Sequence, residues 1–393
     1  MFASRTNWPL ETNRLTLALE EQRRSGKELL DLTASNPTTC GFAYPEREIL
    51  AALSDPRAVL YRPESKGLLE TRLAVAEYYA GRTGFSGASA PIAPESILLA
   101  SGTSEAYTHI FRLLCEAGDE VLVPAPSYPL FEFLADLADI HLVSYPLLYD
   151  HGWQIDFASL RAALSPRSRA VLVVHPNNPT GSFVKPREAA DLSEICIARQ
   201  MAIVADEVFL DYASGAAPRH SFAFSNRALT FTLSGLSKIS LLPQMKLAWT
   251  VVSGPESIAP TAIDRLEIIA DTYLSPGTPV QLALPTFLSM RHALQAQVLH
   301  RISANLSALE SMLRESKSLA LLGREGGWYA ILRVPVTGTD EDLTIALLER
   351  YSVLVHPGHF FNFSREGFLV LSLITLEQQF QEGLRRLQKF FGE

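Results

Sequence analysis

From residue 96 to residue 252 the chain is built from short runs, most of them continuously apolar, and this texture restricts its fold more than any other feature. The runs lie at 96–100, 120–123, 140–145, 170–174, 201–205, 229–233 and 247–252. A strand with one wet face alternates apolar and polar residues. A strand covered on both faces has no need to, and reads as a continuous run. Helical stretches at 104–116, 127–138, 156–164 and 186–199 separate several of the runs. This alternation predicts an α/β fold, with a mostly parallel seven-stranded sheet covered by helices.

The flanks read differently. Residues 1–30 form an arm and a helix, and Pro45–Leu53 a short helix. An amphipathic helix over 68–82 carries Leu69, Leu73, Ala76 and Tyr79 on one side. Beyond residue 275, the stretch 279–318 reads as one long helix or two, with few breakers after Pro285. A strand at 328–334, a helix at 340–350, strands at 352–355 and 368–373 and a helix at 376–391 follow. The expected division is an arm and part of a small domain at 1–45, a large domain at 46–280, and a small α+β domain at 281–393.

Composition excludes several classes. A net charge of −8 argues against nucleic acid as a partner. The odd, scattered Cys40, Cys115 and Cys196 make neither a disulfide framework nor a metal cluster. No run of about eighteen apolar residues suggests a membrane span. The first residues lack the apolar core of a secretion signal, so the expected location is cytoplasmic.

In open α/β sheets, ligands bind beyond the carboxyl ends of the strands. The run 96–100 ends in Ser101-Gly102-Thr103-Ser104-Glu105, a helix start suited to phosphate, or simply a capped helix. The run 170–174 ends in His175-Pro-Asn-Asn-Pro-Thr-Gly181, where Asn177 and Asn178 are amide donors or plain turn formers. The run 201–205 ends in Asp206, a carboxylate that is expensive to bury unpaired. The run 229–233 leads through Ser234-Gly-Leu-Ser237 to Lys238, either a solvated lysine or an amine nucleophile. Together these groups suit pyridoxal 5′-phosphate. The lysine forms the imine, the carboxylate holds the pyridinium proton, the asparagine bonds the ring hydroxyl, and the helix start takes the phosphate.

The segments Ser101–Glu105, Pro126-Ser-Tyr-Pro129, Asn177–Gly181, Asp206-Glu-Val-Phe209 and Ser234–Lys238, in this order, resemble the class I/II aminotransferases of the fold-type I pyridoxal-phosphate superfamily, over nearly the full chain. The resemblance implies that Lys238 is the imine lysine and proton carrier, Asp206 the pyridinium partner, and Tyr128 the aromatic stacked on the ring. It implies cofactor contacts from Gly102, Thr103, Ser104, Asn178, Phe209, Ser234, Ser237 and Lys246. Tyr61 resembles the tyrosine that reaches the neighbouring subunit's phosphate, which implies a homodimer. The substrate would lie near Ser35, Asn36, Asn178 and Arg333.

Three departures stand out. Phe209 replaces a usual tyrosine donor to the ring oxygen, with Tyr212 as a possible stand-in. Lys246 replaces a phosphate arginine and loses its bidentate fork, while Gly235 stands where a serine is common. Val370, in Gly367-Phe-Leu-Val-Leu-Ser-Leu373, stands where the family places its carboxylate-binding arginine. Arg333 and Arg365 are the candidate replacements. The expected activity is transfer of an amino group from an amino acid to a 2-oxo acid. A pyridoxal-phosphate lyase or decarboxylase on the same fold is the alternative, and a non-catalytic cofactor-binding module a third reading.

Overall fold

Each apolar run is a strand, and all but His141–Tyr149 are buried along most of their length. The computed structural model describes residues 1–87, 89–215, 220–314 and 316–392. From edge to edge the large sheet runs Ile97–Ala100, Ala248–Ser253, Thr230–Gly235, Ala202–Asp206, Ser168–Val174, Glu120–Ala125, His141–Tyr149 and Trp153–Ile155. The strands from Thr230–Gly235 through His141–Tyr149 pair in parallel. Ala248–Ser253 is antiparallel to both of its neighbours.

The expected seven strands become eight. Trp153–Ile155 adds to the edge as an antiparallel return of His141–Tyr149. Three residues with the polar Gln154 between two buried ones make no apolar run, so this strand had no signal in the sequence.

Alternation along the central strands explains their continuous apolar reading. Val121, Leu172 and Val204 face a core shared with helices Thr103–Leu114 and Ala259–Tyr273. Leu122, Val171 and Ile203 face the opposite side, with helix Pro186–Arg199. A polar residue on either face would be buried without water, at a penalty of about 1–3 kcal/mol if left unpaired.

Helix Thr278–Leu313 is a single element of 36 residues that passes through Pro285. Proline cannot donate to the carbonyl four residues earlier, and that loss normally kinks or ends a helix. Here the fully buried Thr71 hydroxyl donates to the Gln281 carbonyl at 2.9 Å and fills the missing bond. The expected boundary at 280/281 therefore falls inside a continuous helix.

Helix Leu69–Tyr79 buries only the C-terminal part of the expected face, with Tyr79 inside and Ala76 half-buried. Thr71, Arg72, Val75 and Tyr78 are buried, whereas Leu69 and Leu73 are exposed. Arg72 can be inside because its guanidinium donates to the carbonyls of Gly67 and Pro94, each at 2.9 Å.

A smaller antiparallel sheet follows in the order Ala320–Leu321, Tyr329–Arg333, Phe368–Ser372, His356–Pro357. Tyr329 pairs with Ser372, Ile331 with Val370, and Arg333 with Phe368. Leu30–Asp31 pairs in parallel with Val353–Leu354, tying the N-terminal segment to this unit. Among the described residues, no helix is long and apolar enough to cross a membrane.

Candidate active site

A cavity of about 220 Å³ opens at the carboxyl ends of the parallel strands. Its lining includes Thr103, Tyr128, Asn178, Asp206, Phe209, Ser237 and Lys238, brought together from five separate segments. Ser35 and Tyr329 reach it from the N-terminal segment and the small sheet.

Lys238 lies on the short helix Leu236–Ile239, directly after the strand Thr230–Gly235. Its ammonium stands 4.9 Å from the Trp328 ring centre and 5.7 Å from that of Phe209. Burial pushes its pKa down to about 8, and Asp206 opposes the fall. No hydrogen bond or salt bridge to the Lys238 amine occurs among the described residues. Its backbone is fixed instead: the Tyr212 hydroxyl donates to the Lys238 carbonyl at 2.6 Å, and Gln295 donates to the Ile239 carbonyl at 2.8 Å.

Asp206 and Glu207 follow one another but do different work. The Asp206 carboxylate accepts from the Tyr107 hydroxyl at 2.9 Å and from the Val208 amide at 3.1 Å. Burial raises its pKa, and these donors and Lys238 oppose the rise. Glu207 points away from the cavity, accepting from Ser221 at 2.7 Å and from the Phe222 amide at 2.6 Å, and burial pushes it up to about 7. Strand alternation sends the two carboxylates to opposite faces.

The two asparagines also separate. Asn177 is spent on the turn: its amide donates to the Pro126 carbonyl and the Thr180 hydroxyl, and its oxygen accepts from Ser127. Asn178 lines the cavity with its side-chain oxygen buried and unpartnered. A buried orphan of this kind fits a ligand in the cavity, because an unsatisfied polar atom is costly.

At the far end, Gly102 precedes helix Thr103–Leu114 without any side-chain cap. The first-turn amides are thus open toward an anion. A Cβ at Gly102 would stand 3.8 Å from the Lys246 ammonium, so that charge is close by. Gly235 is required by packing: a Cβ there would lie 2.9 Å from the Ala248 side chain.

Several expected residues stand elsewhere. Ser104 is exposed and outside the cavity lining. Ser234 is buried on the other face of its strand, its hydroxyl directed at the Glu207 carbonyl. Asn36 caps its own turn by accepting from Thr38. Tyr61 is 78% exposed and lines no part of its own chain's cavity. Tyr212 cannot replace the donor missing at Phe209, because its hydroxyl is committed to Lys238. Arg333 and Arg365 line a separate cleft with Tyr149 and Trp153. Tyr107, Phe131 and Tyr329 were missed. Tyr107 lies four residues after Thr103 on one helix face, which was a usable signal. Tyr329 had none, since only the small sheet's position brings it in. Among the described residues, no cluster suited to a metal ion occurs.

A family model described as aminotransferase class I and II matches residues 27–387. Glutamate-pyruvate aminotransferase AlaA of Haemophilus influenzae is 27% identical, over 96% of this chain and 93% of that protein. Alanine aminotransferase of Mycobacterium tuberculosis is 28% identical, over 93% of this chain and 86% of that protein. Among solved structures, alanine aminotransferase from Pyrococcus furiosus superposes with a TM-score of 0.89, at 22% identity and with both chains fully covered. That last likeness bears on the fold alone.

Proposed function

The chain belongs to the aminotransferase class I and II family and is a transaminase, and from that premise we propose that it uses pyridoxal 5′-phosphate to move the amino group of alanine, or of a similarly small uncharged amino acid, to a 2-oxo acid. The observation that carries this reading is the grouping in one cavity of a buried, low-pKa Lys238, the Asp206 carboxylate and the unpartnered Asn178 oxygen. Pyridoxal phosphate, when bound, supplies an aldehyde for the lysine and a ring that withdraws electrons from the reacting carbon.

The chain's own residues do the rest. Lys238, with a pKa of about 8, is free base in roughly a tenth of molecules at neutral pH and can take and return a proton at the reacting carbon. Asp206, held by Tyr107 and Val208, would keep a ring nitrogen protonated. Thr103, Ser237 and Lys246 would hold the phosphate at the helix start, and Tyr128 would lie beside the ring. The mycobacterial relative named alanine aminotransferase supports the donor. So does the lining, in which Lys238 is the sole lysine or arginine available to a second carboxylate.

The test is L-alanine added alone to cofactor-loaded protein. The visible absorbance of the bound cofactor should move to the near ultraviolet, with about one pyruvate released per site and no ammonia. Continuing release of oxo acid and ammonia without an acceptor would instead establish the lyase alternative.

Phe209 offers no donor to the ring oxygen, whereas a phenol there would favour the anionic form of that oxygen. A hydrogen bond to a charged group is worth about 1.5–3 kcal/mol, or roughly one to two pKa units. The pH midpoint of the bound cofactor's absorbance should therefore fall by about that much in Phe209→Tyr. An unchanged midpoint would reject the assignment.

We also propose a homodimer. Val59 is 84% and Tyr61 78% exposed, and Leu50, Leu60, Leu69 and Leu73 are exposed near them in sequence. A surface this apolar suits a partner, and Tyr61 would reach the second copy's phosphate. Sedimentation should give a dimer, with weaker cofactor binding in Tyr61→Ser. A monomer with full cofactor affinity would overturn this.

A further inference from the structure

Away from Asp206 and Lys238, the lining of the Lys238 cavity includes Ser35, Tyr128, Phe131, Phe209 and Tyr329, all neutral. The strand behind it, Phe368–Ser372, is apolar but for its last residue, and Val370 is fully buried opposite Ile331 and His356. Burial pushes His356 down to about 4, so it carries no charge at neutral pH. Arg333 lies four residues beyond Tyr329, about 13 Å along the strand. It opens with Arg365 into the other cleft. Besides Asn178, Asp206 and Lys238, the polar side chains of the lining are hydroxyls. Burial drives the Tyr329 phenol up to about 12, opposed by the Ser35 hydroxyl beside it, so it stays a hydrogen-bond donor.

A site that grips a carboxylate with a fixed cation rejects analogues lacking that charge, because the cation is then left unpaired. Neutral hydroxyls impose no such penalty. Resting on the transaminase reading above, we infer that this enzyme also accepts amino donors whose reacting carbon carries no carboxylate, namely small primary amines and α-amino amides. The reaction balances without an outside oxidant. The donor carbon loses its C–N bond and its hydrogen and takes an oxygen from water, becoming a ketone or aldehyde, while the acceptor's carbonyl oxygen leaves as water. The 2-oxo acid gains the nitrogen and a hydrogen and becomes an amino acid. Lys238 carries the proton in both halves, and Tyr329 is the specificity-determining donor at the mouth.

The experiment compares L-alanine, L-alaninamide and 2-aminopropane on the cofactor-loaded protein, with 2-oxobutanoate as acceptor. The absorbance of the bound cofactor and the ketone product are followed for each donor. A single hydrogen bond to a charged group is worth about 10- to 150-fold, so kcat/KM for alanine should exceed that for the two neutral donors by no more than about 100-fold. Tyr329→Phe should cut the alanine value about tenfold, through KM, and leave 2-aminopropane nearly unchanged. A preference of 10⁴ or more would overturn the inference, since that is what loss of a buried polar partner imposes. If alanine reacts and the amines do not, this inference fails and the alanine reading stands. If the amines react and alanine does not, the reverse holds. If no donor changes the absorbance, both fall.

Discussion

Lys238→Ala should lose at least about 10⁴-fold in the alanine half-reaction, because a positioned proton carrier alone contributes about 10²–10⁴ and the covalent attachment is lost with it. Lys238→Arg should fall as far: it keeps the charge, but a guanidinium is never free base near neutrality. Asp206, Asn178 and the helix start remain, so cofactor should still bind, with an altered absorption band. Activity above about 1% of the parent would remove Lys238 from the chemistry.

The same substitution should stabilise the cofactor-free protein. The Lys238 pKa is depressed from 10.5 to about 8. Between those values the unfolded chain binds more protons than the folded one, so this group makes stability rise with pH across that window. Below pH 8 its full penalty is present, on the order of 3 kcal/mol. Urea midpoints at pH 7 should therefore be higher for Lys238→Ala than for the parent. The gap should narrow as pH rises from 8 to 10.5. A gap independent of pH would mean that burial of the ammonium is not the cause.

Asp206→Ala should cost about 10³-fold in kcat/KM, the scale of one fixed electrostatic group at a reacting centre. It should also weaken cofactor binding. Asp206→Asn keeps the shape and can still accept from Tyr107 and Val208, but lacks the charge. An equal loss in both variants would assign the effect to charge. Tyr107→Phe removes the 2.9 Å donor and should cost about tenfold, by letting the carboxylate take up a proton more easily. An Asp206→Asn enzyme within threefold of the parent would discard the pyridinium role.

Much of this was written along the chain. A continuous apolar run is legible because a strand covered on both faces needs apolar residues at every position, which is a local property. The seven runs became strands, and the chemistry at their ends fell where strand geometry puts it: Asp206, Asn178, Thr103, Ser237 and Lys238 converge on one cavity. Helix Ala259–Tyr273 was passed over, although Pro260 in its first turn is a recognisable start.

What the chain could not say in one dimension depends on groups distant in sequence. Pro285 leaves open whether 279–318 is one helix or two, and Thr71, more than 200 residues earlier, supplies the missing bond that keeps it one. Leu69 and Leu73 read as an inner face until Thr71 and Arg72 find their buried partners. Ser234 and Ser237 are alike as letters, yet strand pleat turns one toward Glu207 while the short helix brings the other into the cavity. Local pattern records which surfaces must be hidden. Which polar group is spent on the scaffold and which is left open to a ligand is decided by contacts that only the folded chain makes.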